Sequence, residues 1–391
     1  MRLLTVLVLW AATAGADEPD AAVAPAGRWS DPAGTPSGGR RSAARPLLGE
    51  IEEAWSVELP GTAAHAPVLW DGTVYVLCHD EKEGRILAAI DLYAGRLLAK
   101  RVVQGAGPGR AVVWNGVVYI KGGPQIVAYR RSRTSFKPVW KSKDGRYSDP
   151  VVWDGEIYAV NHDALERLRL GSKRPVWRSA ARGCRGRAAV YGRCVYAVDS
   201  GNLHALERRT GRILASVDLP NADRARRFRP GDAVYVTVAP NAVYVQPPFG
   251  FRASDGHVGC AEIPRFEEGD LLKFGEAGLW DFRSRPSVHA KGVVATFVHG
   301  GTARWGQRVK DVMRVTTSRL RHPDLFEPVH PAVILGDLAY LGRAAVDIRS
   351  DEVLWRLPVG EMTQPPVPAD GMVLAVDGGT TLRCFQDSGR D

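Results

Sequence analysis

Two short groups of residues contain the side chains that most often bind metals: Cys78-His79-Asp80-Glu81, and His257 with Cys260. Tetrahedral zinc needs four ligands, and neither group is followed by a second ligand pair at a suitable spacing. Consecutive residues of a strand also point to opposite faces, so adjacency works against a shared metal. We therefore interpret the first group as the tip of a hairpin and assign no metal ligand.

Motifs for covalent or hydrolytic chemistry are not found in the sequence. There is no Gly-x-Ser-x-Gly elbow and no His-Glu-x-x-His pair, although serine, histidine and carboxylate residues are plentiful. We assign no catalytic residue. The five cysteines allow at most two internal disulfides and leave one thiol over. Cys184 and Cys194, ten residues apart, are the candidate disulfide.

Basic residues offer a second kind of chemistry. The chain has 52 Lys and Arg against 43 Asp and Glu, a net charge of +9. One arginine cluster comprises Arg182, Arg185, Arg187 and Arg193, and a second comprises Arg224, Arg226, Arg227 and Arg229. Such clusters favour an anionic surface or an acidic partner, and solvated loops are the alternative interpretation.

An aromatic insert follows the second cluster, between Ile263 and Arg285. Because insertions in a repeat protein usually map to loops, we expect it to form a binding loop or to fold over its own sheet. The candidate contact surface is therefore Arg224, Arg226, Arg227 and Arg229 with Phe274 and Trp280 of the insert. Nucleic acid is not expected as a partner, because no stacking-aromatic motif accompanies the charge.

The elements that must position these residues form a repeat, seen most completely in residues 187–220. This unit has four short apolar strands bounded by Gly, Asp or Asn, which is typical of hairpins. Eight tight turns recur in one register at spacings of 34 to 51 residues, each followed three places later by an apolar or aromatic residue such as Tyr75 or Tyr196. That period is typical of four-stranded propeller blades.

The last repeat supports closure of a ring. It stops after the third strand, whereas an extra strand with a tryptophan, Trp55 to Leu59, precedes the first repeat. Pairing of these two ends would leave no open sheet edge between the first and last blades. The sequence thus predicts an all-β, eight-bladed β-propeller of four-stranded antiparallel blades over residues 51–387, with the N-terminal strand completing the last blade.

The repeat, which runs apolar-apolar-Trp-Asp-Gly-x-Val-Tyr and then Ala-Leu-Asp/Glu-x-x-Thr-Gly-x-x-Leu-x-Trp, resembles the pyrroloquinoline-quinone-type repeat of quinoprotein dehydrogenase-like propellers. That resemblance implies either a quinone-dependent dehydrogenase or an assembly scaffold. The family's enzymes place two adjacent cysteines against the cofactor and hold calcium with acidic and amide side chains. No two cysteines of this chain are adjacent, so we expect no cofactor, with pyrroloquinoline quinone and calcium as the alternative.

The N-terminus resembles an export signal. Arg2 precedes an apolar run from Leu3 to Ala12, and the small residues Ala14 and Ala16 predict cleavage after Ala16. Residues 1–16 are therefore a predicted signal peptide, with no transmembrane segment after its removal. Residues 17–50 are rich in Ala, Pro and Gly and are predicted to be a disordered linker.

Together these features predict an exported, non-catalytic propeller that acts as a binding or assembly scaffold at the cell envelope, in the periplasm or outside the cell. Its predicted partner is an envelope protein or an anionic surface. The alternative is a divergent pyrroloquinoline-quinone-dependent oxidoreductase.

Overall fold

The fold consists of strands and turns in every part of the chain that the computed structural model describes. Those parts are residues 23–24, 28–29, 31, 41–105, 109–199, 201–219, 235–238, 242–246, 258–268, 271–274, 278–282, 287–289, 292–299, 302–309, 312–314, 333–347, 350 and 352–389. The strands in them form eight sheets, which we number in chain order. A search of these residues finds no helix with the length and hydropathy needed to cross a membrane.

The first four sheets follow one another along the chain. Sheet 1 contains Arg28–Trp29, Thr62–Ala63, Val68–Trp70, Thr73–Asp80, Gly84–Asp91 and Leu97–Val102. Sheet 2 contains Ala111–Trp114, Val117–Gly122, Gln125–Arg131 and Phe136–Lys141. Sheet 3 contains Val151–Trp153, Glu156–Asn161, Ala164–Arg169 and Trp177–Arg178. Sheet 4 contains Arg185–Tyr191, Cys194–Val198, Asn202–Glu207 and Ile213–Asp218.

The other four sheets complete the chain and include three segments from its N-terminal part. Sheet 5 contains Tyr235–Val238, Ala242–Gln246, Val258–Glu268, Leu271–Phe274 and Gly278–Phe282. Sheet 6 contains Ser287–His289, Gly292–His299, Thr302–Val309 and Val312–Arg314. Sheet 7 contains Val23–Ala24, Arg41–Ser42, Val333–Leu335, Leu338–Leu341, Ala344–Asp347 and Val353–Arg356. Sheet 8 contains Val367–Ala369, Met372–Asp377, Thr381–Asp387 and Ile51–Glu58.

The turns between the first and second repeat strands have the geometry that their sequences predict. In sheets 1 to 3 the Asp-Gly or Asn-Gly residues both have positive φ, for example 43° at Asp71 and 74° at Gly72. Two successive positive φ values define a type I′ turn, whose twist matches that of the flanking strands. These turns fix the register of the antiparallel pairs that follow, such as Tyr75 opposite Val68.

The core lies between neighbouring sheets, because alternate residues of each strand pack against different neighbours. In sheet 4, Tyr196 packs into a cluster shared with sheet 5, whereas Val195 packs into a cluster shared with sheet 3. Tyrosine occupies the same second-strand position in other sheets, and Tyr119, Tyr158 and Tyr340 are also fully buried. Burying a side chain of this size contributes about 2 to 3 kcal/mol. The recurring tyrosines therefore predict the core positions correctly.

Tryptophans on the outermost strands connect each such sheet to the next one. The indole nitrogens of Trp140 and Trp177 donate to the carbonyl oxygens of Ser172 and Arg208, at 2.7 and 3.0 Å, in the turn between the third and fourth strands of the following sheet. Trp55 makes the same contact from sheet 8 to Leu92 of sheet 1, at 2.8 Å. The same indole hydrogen bond therefore joins three pairs of sheets: 2 to 3, 3 to 4, and 8 to 1.

Sheet 8 is completed by the N-terminal strand. Ile51–Glu58 pairs antiparallel with Thr381–Asp387, placing Trp55 opposite Cys384. Side chains reinforce the pairing, since Arg383 contacts Glu53 at 2.7 Å. The predicted pairing of the two ends of the repeat region is therefore present. An all-β fold with several four-stranded antiparallel sheets is confirmed, while sheets 1, 5 and 7 each have five or six strands.

The end of the predicted linker is folded. Ala44 and Leu47 are buried in the cluster shared by sheets 7, 8 and 1. The carbonyl oxygen of Leu47 accepts the indole hydrogen bond of Trp355, at 2.9 Å, as the third-to-fourth-strand turn does in other sheets. The disorder predicted up to residue 50 therefore does not hold for residues 41–50. Composition did not indicate this order, because two apolar side chains are enough to hold the segment when the other residues of the cluster are already in place.

Candidate functional site

Only part of the predicted contact surface lies within the described residues. Arg224, Arg226, Arg227 and Arg229 fall outside them, as does the predicted signal peptide. The aromatic insert was expected to be a loop, but it contributes the strands Leu271–Phe274 and Gly278–Phe282 to sheet 5. Phe274 packs partly buried against the cluster between sheets 4 and 5. The backbone of Trp280 pairs with Cys260.

The structure does not join the candidate disulfide. Cys194 packs into the cluster between sheets 4 and 5, whereas Cys184 packs into the cluster between sheets 3 and 4. Sheet 4 itself lies between the two thiols, which explains why ten residues of separation in sequence did not indicate proximity. Burial raises the pKa of the Cys184 thiol to about 12, so it is held in its neutral form.

The Cys78-His79-Asp80 group lies in a hairpin of sheet 1, as expected. Cys78 is fully buried, and the carboxylate of Asp80 accepts hydrogen bonds from the backbone nitrogens of Glu83 and Lys82, at 2.7 and 2.9 Å. These hydrogen bonds lower the pKa of Asp80. Within the described ranges, no three His, Cys, Asp or Glu side chains are grouped as a metal site.

The first arginine cluster is divided between three environments. Arg182 is exposed and lies 3.7 Å from the carboxylate of Asp163 on sheet 3. Arg193 belongs to the turn at the far end of the first strand of sheet 4. Arg187 lies within that strand, and its side chain is only 10% exposed. The structure therefore does not assemble Arg182, Arg187 and Arg193 into one basic surface.

The first strands of successive sheets contact one another. Contacts join the first strands of sheets 1 and 2, 2 and 3, 3 and 4, 4 and 5, 5 and 6, and 6 and 7. Arg28–Trp29 contacts the first strands of both sheet 1 and sheet 8. Arg41–Ser42 pairs in parallel with Val333–Leu335, the first strand of sheet 7. Residues that were predicted to be linker therefore lie along the central edges of the sheets.

Asp31 contacts the first strand of sheet 4. Its side chain is 0% exposed and accepts a hydrogen bond from Nη2 of Arg187 in that strand. Trp29, two residues earlier, pairs with Leu69 on sheet 1. We call Arg28, Trp29 and Asp31 the central segment.

Sheets 3 and 4 carry polar networks at the hairpins between their second and third strands. In sheet 3, the buried Glu166 accepts hydrogen bonds from Tyr147 and Asn161, each at 3.2 Å, and lies 3.6 Å from Arg178. Burial raises the pKa of Tyr147 to about 12, and the neighbouring carboxylate of Glu166 adds to the rise. This network satisfies a buried carboxylate, which would otherwise destabilise the fold.

The network in sheet 4 joins an aspartate, a histidine and a serine. Nε2 of His204 lies 2.8 Å from the carboxylate of Asp199, and Nδ1 lies 2.8 Å from Oγ of Ser216. Burial favours protonation of Asp199, but hydrogen bonds from His204, Gly201 and Asn202 outweigh it and lower its pKa to about 2. His204 and Ser216 are opposite each other on the third and fourth strands. The network therefore connects these two strands to Asp199, in the turn after the second strand.

Sequence reasoning missed the central segment and the His204 network for different reasons. Asp31 lies in a Pro/Gly/Ala-rich stretch without periodicity, and Arg187 looks like one member of a surface cluster. Nothing in either neighbourhood indicates that the two meet. The His204 network was accessible in principle, because an Asp-x-x-Asn hairpin followed by a histidine places these groups at one end of the sheet.

Three cysteines lie in the core of the described sheets. Cys78, Cys184 and Cys384 are each buried within apolar clusters between sheets. Burial raises their thiol pKa values to about 12. No two of these three thiols are joined, and we derive no step through a quinone.

Comparison with known proteins identifies the repeat. Residues 50–217 match the family model described as "Outer membrane protein assembly factor BamB". Comparison with curated protein sequences gives no match. The resemblance to pyrroloquinoline-quinone-type repeats, inferred from the turn and strand motifs, is confirmed by this match.

Solved structures resemble the fold at low sequence identity. The computationally designed Ika8 protein has a TM-score of 0.59 at 10% identity, over 86% of this chain and 99% of that one. Quinohemoprotein alcohol dehydrogenase from Comamonas testosteroni has a TM-score of 0.55 at 12% identity, over 93% and 81%. BamB from Moraxella catarrhalis has a TM-score of 0.39 at 12% identity, over 88% and 99%. The first two likenesses show the fold alone.

Proposed function

Because the chain is a β-propeller built from pyrroloquinoline-quinone-type repeats, we propose that it is an exported, non-catalytic scaffold that binds or assembles partners at the cell envelope. The blades number eight, and the N-terminal strand closes their ring. The match to an outer membrane assembly factor supports this proposal. So does the apolar run followed by small residues at the N-terminus, which indicates export.

One observation carries the proposal more than any other. The chain's own central segment lies along the first strands, with Asp31 fully buried against Arg187. A propeller that holds its own residues against its first strands leaves its faces and rim for contact with other molecules. Those are the surfaces on which an assembly scaffold holds a partner, and repeat folds commonly use them in this way.

The partner surface that we propose is the second arginine cluster, Arg224 to Arg229, with Phe274 and Trp280 nearby in sequence. The partner is an envelope protein or an anionic surface, in the periplasm or outside the cell. Capture of partners from an envelope extract, and binding to anionic vesicles, should both weaken when Arg224, Arg226, Arg227 and Arg229 are changed to Ser. A matched control changes four exposed arginines on described sheets, Arg96, Arg130, Arg133 and Arg174. Equal loss in both variants would show that net charge, and not this surface, drives binding.

The competing proposal, a quinone-dependent oxidoreductase, is tested by an assay of cofactor binding and substrate oxidation. The mature chain is incubated with pyrroloquinoline quinone and calcium, and dye-linked oxidation of alcohols and sugars is followed. We expect neither stoichiometric quinone binding nor turnover, because the described cysteines are buried between sheets. Saturable quinone binding with turnover would overturn the scaffold proposal.

A further inference from the structure

The Asp199, His204 and Ser216 network in sheet 4 has the connectivity of a serine nucleophile with its base. Nδ1 of His204 lies 2.8 Å from Oγ of Ser216, and Nε2 lies 2.8 Å from the carboxylate of Asp199. A hydroxyl, an imidazole and a carboxylate in this order activate a serine for acyl transfer. In serine proteases Nε2 faces the serine. Here Nδ1 does, and either ring nitrogen can take up a proton.

The carboxylate of Asp199 fixes which ring nitrogen of His204 carries the proton. Burial favours protonation of Asp199, but hydrogen bonds from His204, Gly201 and Asn202 outweigh it and lower its pKa to about 2. The carboxylate is therefore ionised near neutral pH and only accepts hydrogen bonds. Nε2 must then donate to it, which leaves Nδ1 of the neutral ring as an acceptor. The hydroxyl of Ser216 consequently donates to Nδ1, with its proton aligned toward a base.

Ser216 can be reached from solvent, whereas its base is shielded. Ser216 is exposed on the fourth strand of sheet 4. The side chains of His204 and Asp199 are only 10% and 13% exposed. Partial burial strengthens the hydrogen bond between the imidazole and the carboxylate, because water competes less for either group. The network therefore presents one activated oxygen on an accessible edge strand.

Other sheets have different side chains at the same pair of opposed positions on the third and fourth strands. These pairs are His204 and Ser216 in sheet 4, Glu166 and Arg178 in sheet 3, and Arg383 and Ser56 in sheet 8. Ser56 is exposed, as Ser216 is. The residue opposite Ser56 is an arginine, whose guanidinium stays protonated and does not act as a base. Sheet 8 thus supplies a matched serine that faces a guanidinium instead of an imidazole.

We propose that Ser216 is a nucleophile that takes an acyl group from an activated ester or thioester, and is therefore a covalent modification site. Its Oγ bonds to the acyl carbon, and the hydroxyl proton passes to Nδ1 of His204. The bond from the acyl carbon to the leaving oxygen or sulfur breaks, and the leaving group takes that proton. Asp199 stabilises the imidazolium that exists between these two steps. This single transfer goes beyond the scaffold function and does not depend on it.

The experiment measures acetylation of individual serines in the folded protein. The full mature chain is incubated with p-nitrophenyl acetate at neutral pH, quenched at successive times and digested, and each serine-containing peptide is analysed by mass spectrometry. We expect Ser216 to be acetylated at least about 100-fold faster than Ser56, because general-base assistance contributes about that much or more. Ser216→Ala should abolish the fast phase of p-nitrophenolate release, whereas the matched Ser56→Ala should retain it.

A variant of the histidine identifies the base. His204→Gln keeps a polar side chain opposite Ser216 but removes the proton acceptor, so acetylation of Ser216 should fall by about 100-fold while that of Ser56 is unchanged. If His204→Gln prevents folding, the comparison of Ser216 with Ser56 in the wild-type chain still decides. Equal rates at these two serines, or a fast rate at Ser216 retained in the folded His204→Gln variant, would overturn the inference. Capture of partners by the same chain is measured separately, so the scaffold proposal stands or fails by itself.

Discussion

The rim and the centre of this propeller are stabilised by different kinds of contact. At the rim, the same indole hydrogen bond recurs between sheets, with Trp55, Trp140 and Trp177 each donating to a turn of the next sheet. At the centre, Asp31 meets Arg187 once, through a segment that lies outside the repeat. Repetition lets the rim be deduced from the sequence, whereas a single contact leaves no pattern to detect.

The largest effect should come from removing the strand that joins the two ends of the rim. Deletion of residues 51–58 removes the partner of Thr381–Asp387 and opens the edge of sheet 8. We expect loss of cooperative thermal unfolding, measured by circular dichroism, because both terminal sheets lose their shared cluster. Unfolding identical to that of the intact chain would show that the ends of the repeat region do not depend on each other.

A rim tryptophan should come next in magnitude. Trp355 is 7% exposed, packs against Tyr340 and donates to Leu47. Trp355→Ala should lower the free energy of unfolding by about 3 to 5 kcal/mol, as expected for deletion of a large buried side chain. Trp355→Phe keeps an aromatic ring and should cost about 1 kcal/mol for the lost hydrogen bond. If both variants lost the same free energy of unfolding in denaturant titrations, the stabilisation by Trp355 would come from its hydrogen bond and not from packing of its ring.

A pair of glycines tests how closely the rim turns approach the tryptophans. Gly211 has φ +75°, and a Cβ there would lie 2.6 Å from the Trp177 ring. Gly171 has φ +89° in the matching turn of sheet 3, and a Cβ there would meet nothing within 4 Å. Both alanine variants carry the cost of positive φ, about 1 kcal/mol. Gly211→Ala should lose about 1 to 2 kcal/mol more, because of the clash. Equal losses would contradict the close approach.

The smallest effect should appear at the other single contact, the His204 network. The folded pKa of Asp199 is lowered to about 2, so its stabilising effect is complete above its unfolded pKa near 4 and is lost as the pH falls through 2. We expect a loss of about 1 to 2 kcal/mol over this range, allowing for solvent screening. Asp199→Asn should remove this part of the acid dependence. An unchanged pH profile of unfolding would contradict it.

The repeat and its core residues could be predicted from the sequence, whereas the contacts at the centre could not. Tyr119, Tyr158 and Tyr196 were identified because each follows a turn at the same spacing, and all three are core residues. Asp31 and Arg187 are 156 residues apart in the sequence, and no composition or repeat pattern indicates that they come into contact. Cys184 and Cys194 pack into different clusters on either side of sheet 4, which their spacing in the sequence did not indicate.

The insert in sheet 5 shows a further reason for error. Departure from the repeat indicated a loop, yet Leu271–Phe274 pairs with the long strand Val258–Glu268. An insertion can extend a sheet when its residues alternate suitably, and alternation over four residues is too short to distinguish from a loop. Phe274 is thus partly a packing residue, and its role in binding stays a prediction.

Hydrogen–deuterium exchange of the N-terminal part tests the central claim most directly. In the wild-type chain, the amides of Trp29 and Asp31 should exchange far more slowly than in the unfolded chain, because Trp29 pairs with Leu69 and Asp31 is buried. Arg187→Ser should accelerate exchange at these two residues and leave residues 41–47 protected by their contacts with sheets 7 and 8. Exchange of Trp29 and Asp31 at the unfolded rate in the wild-type chain would contradict the account.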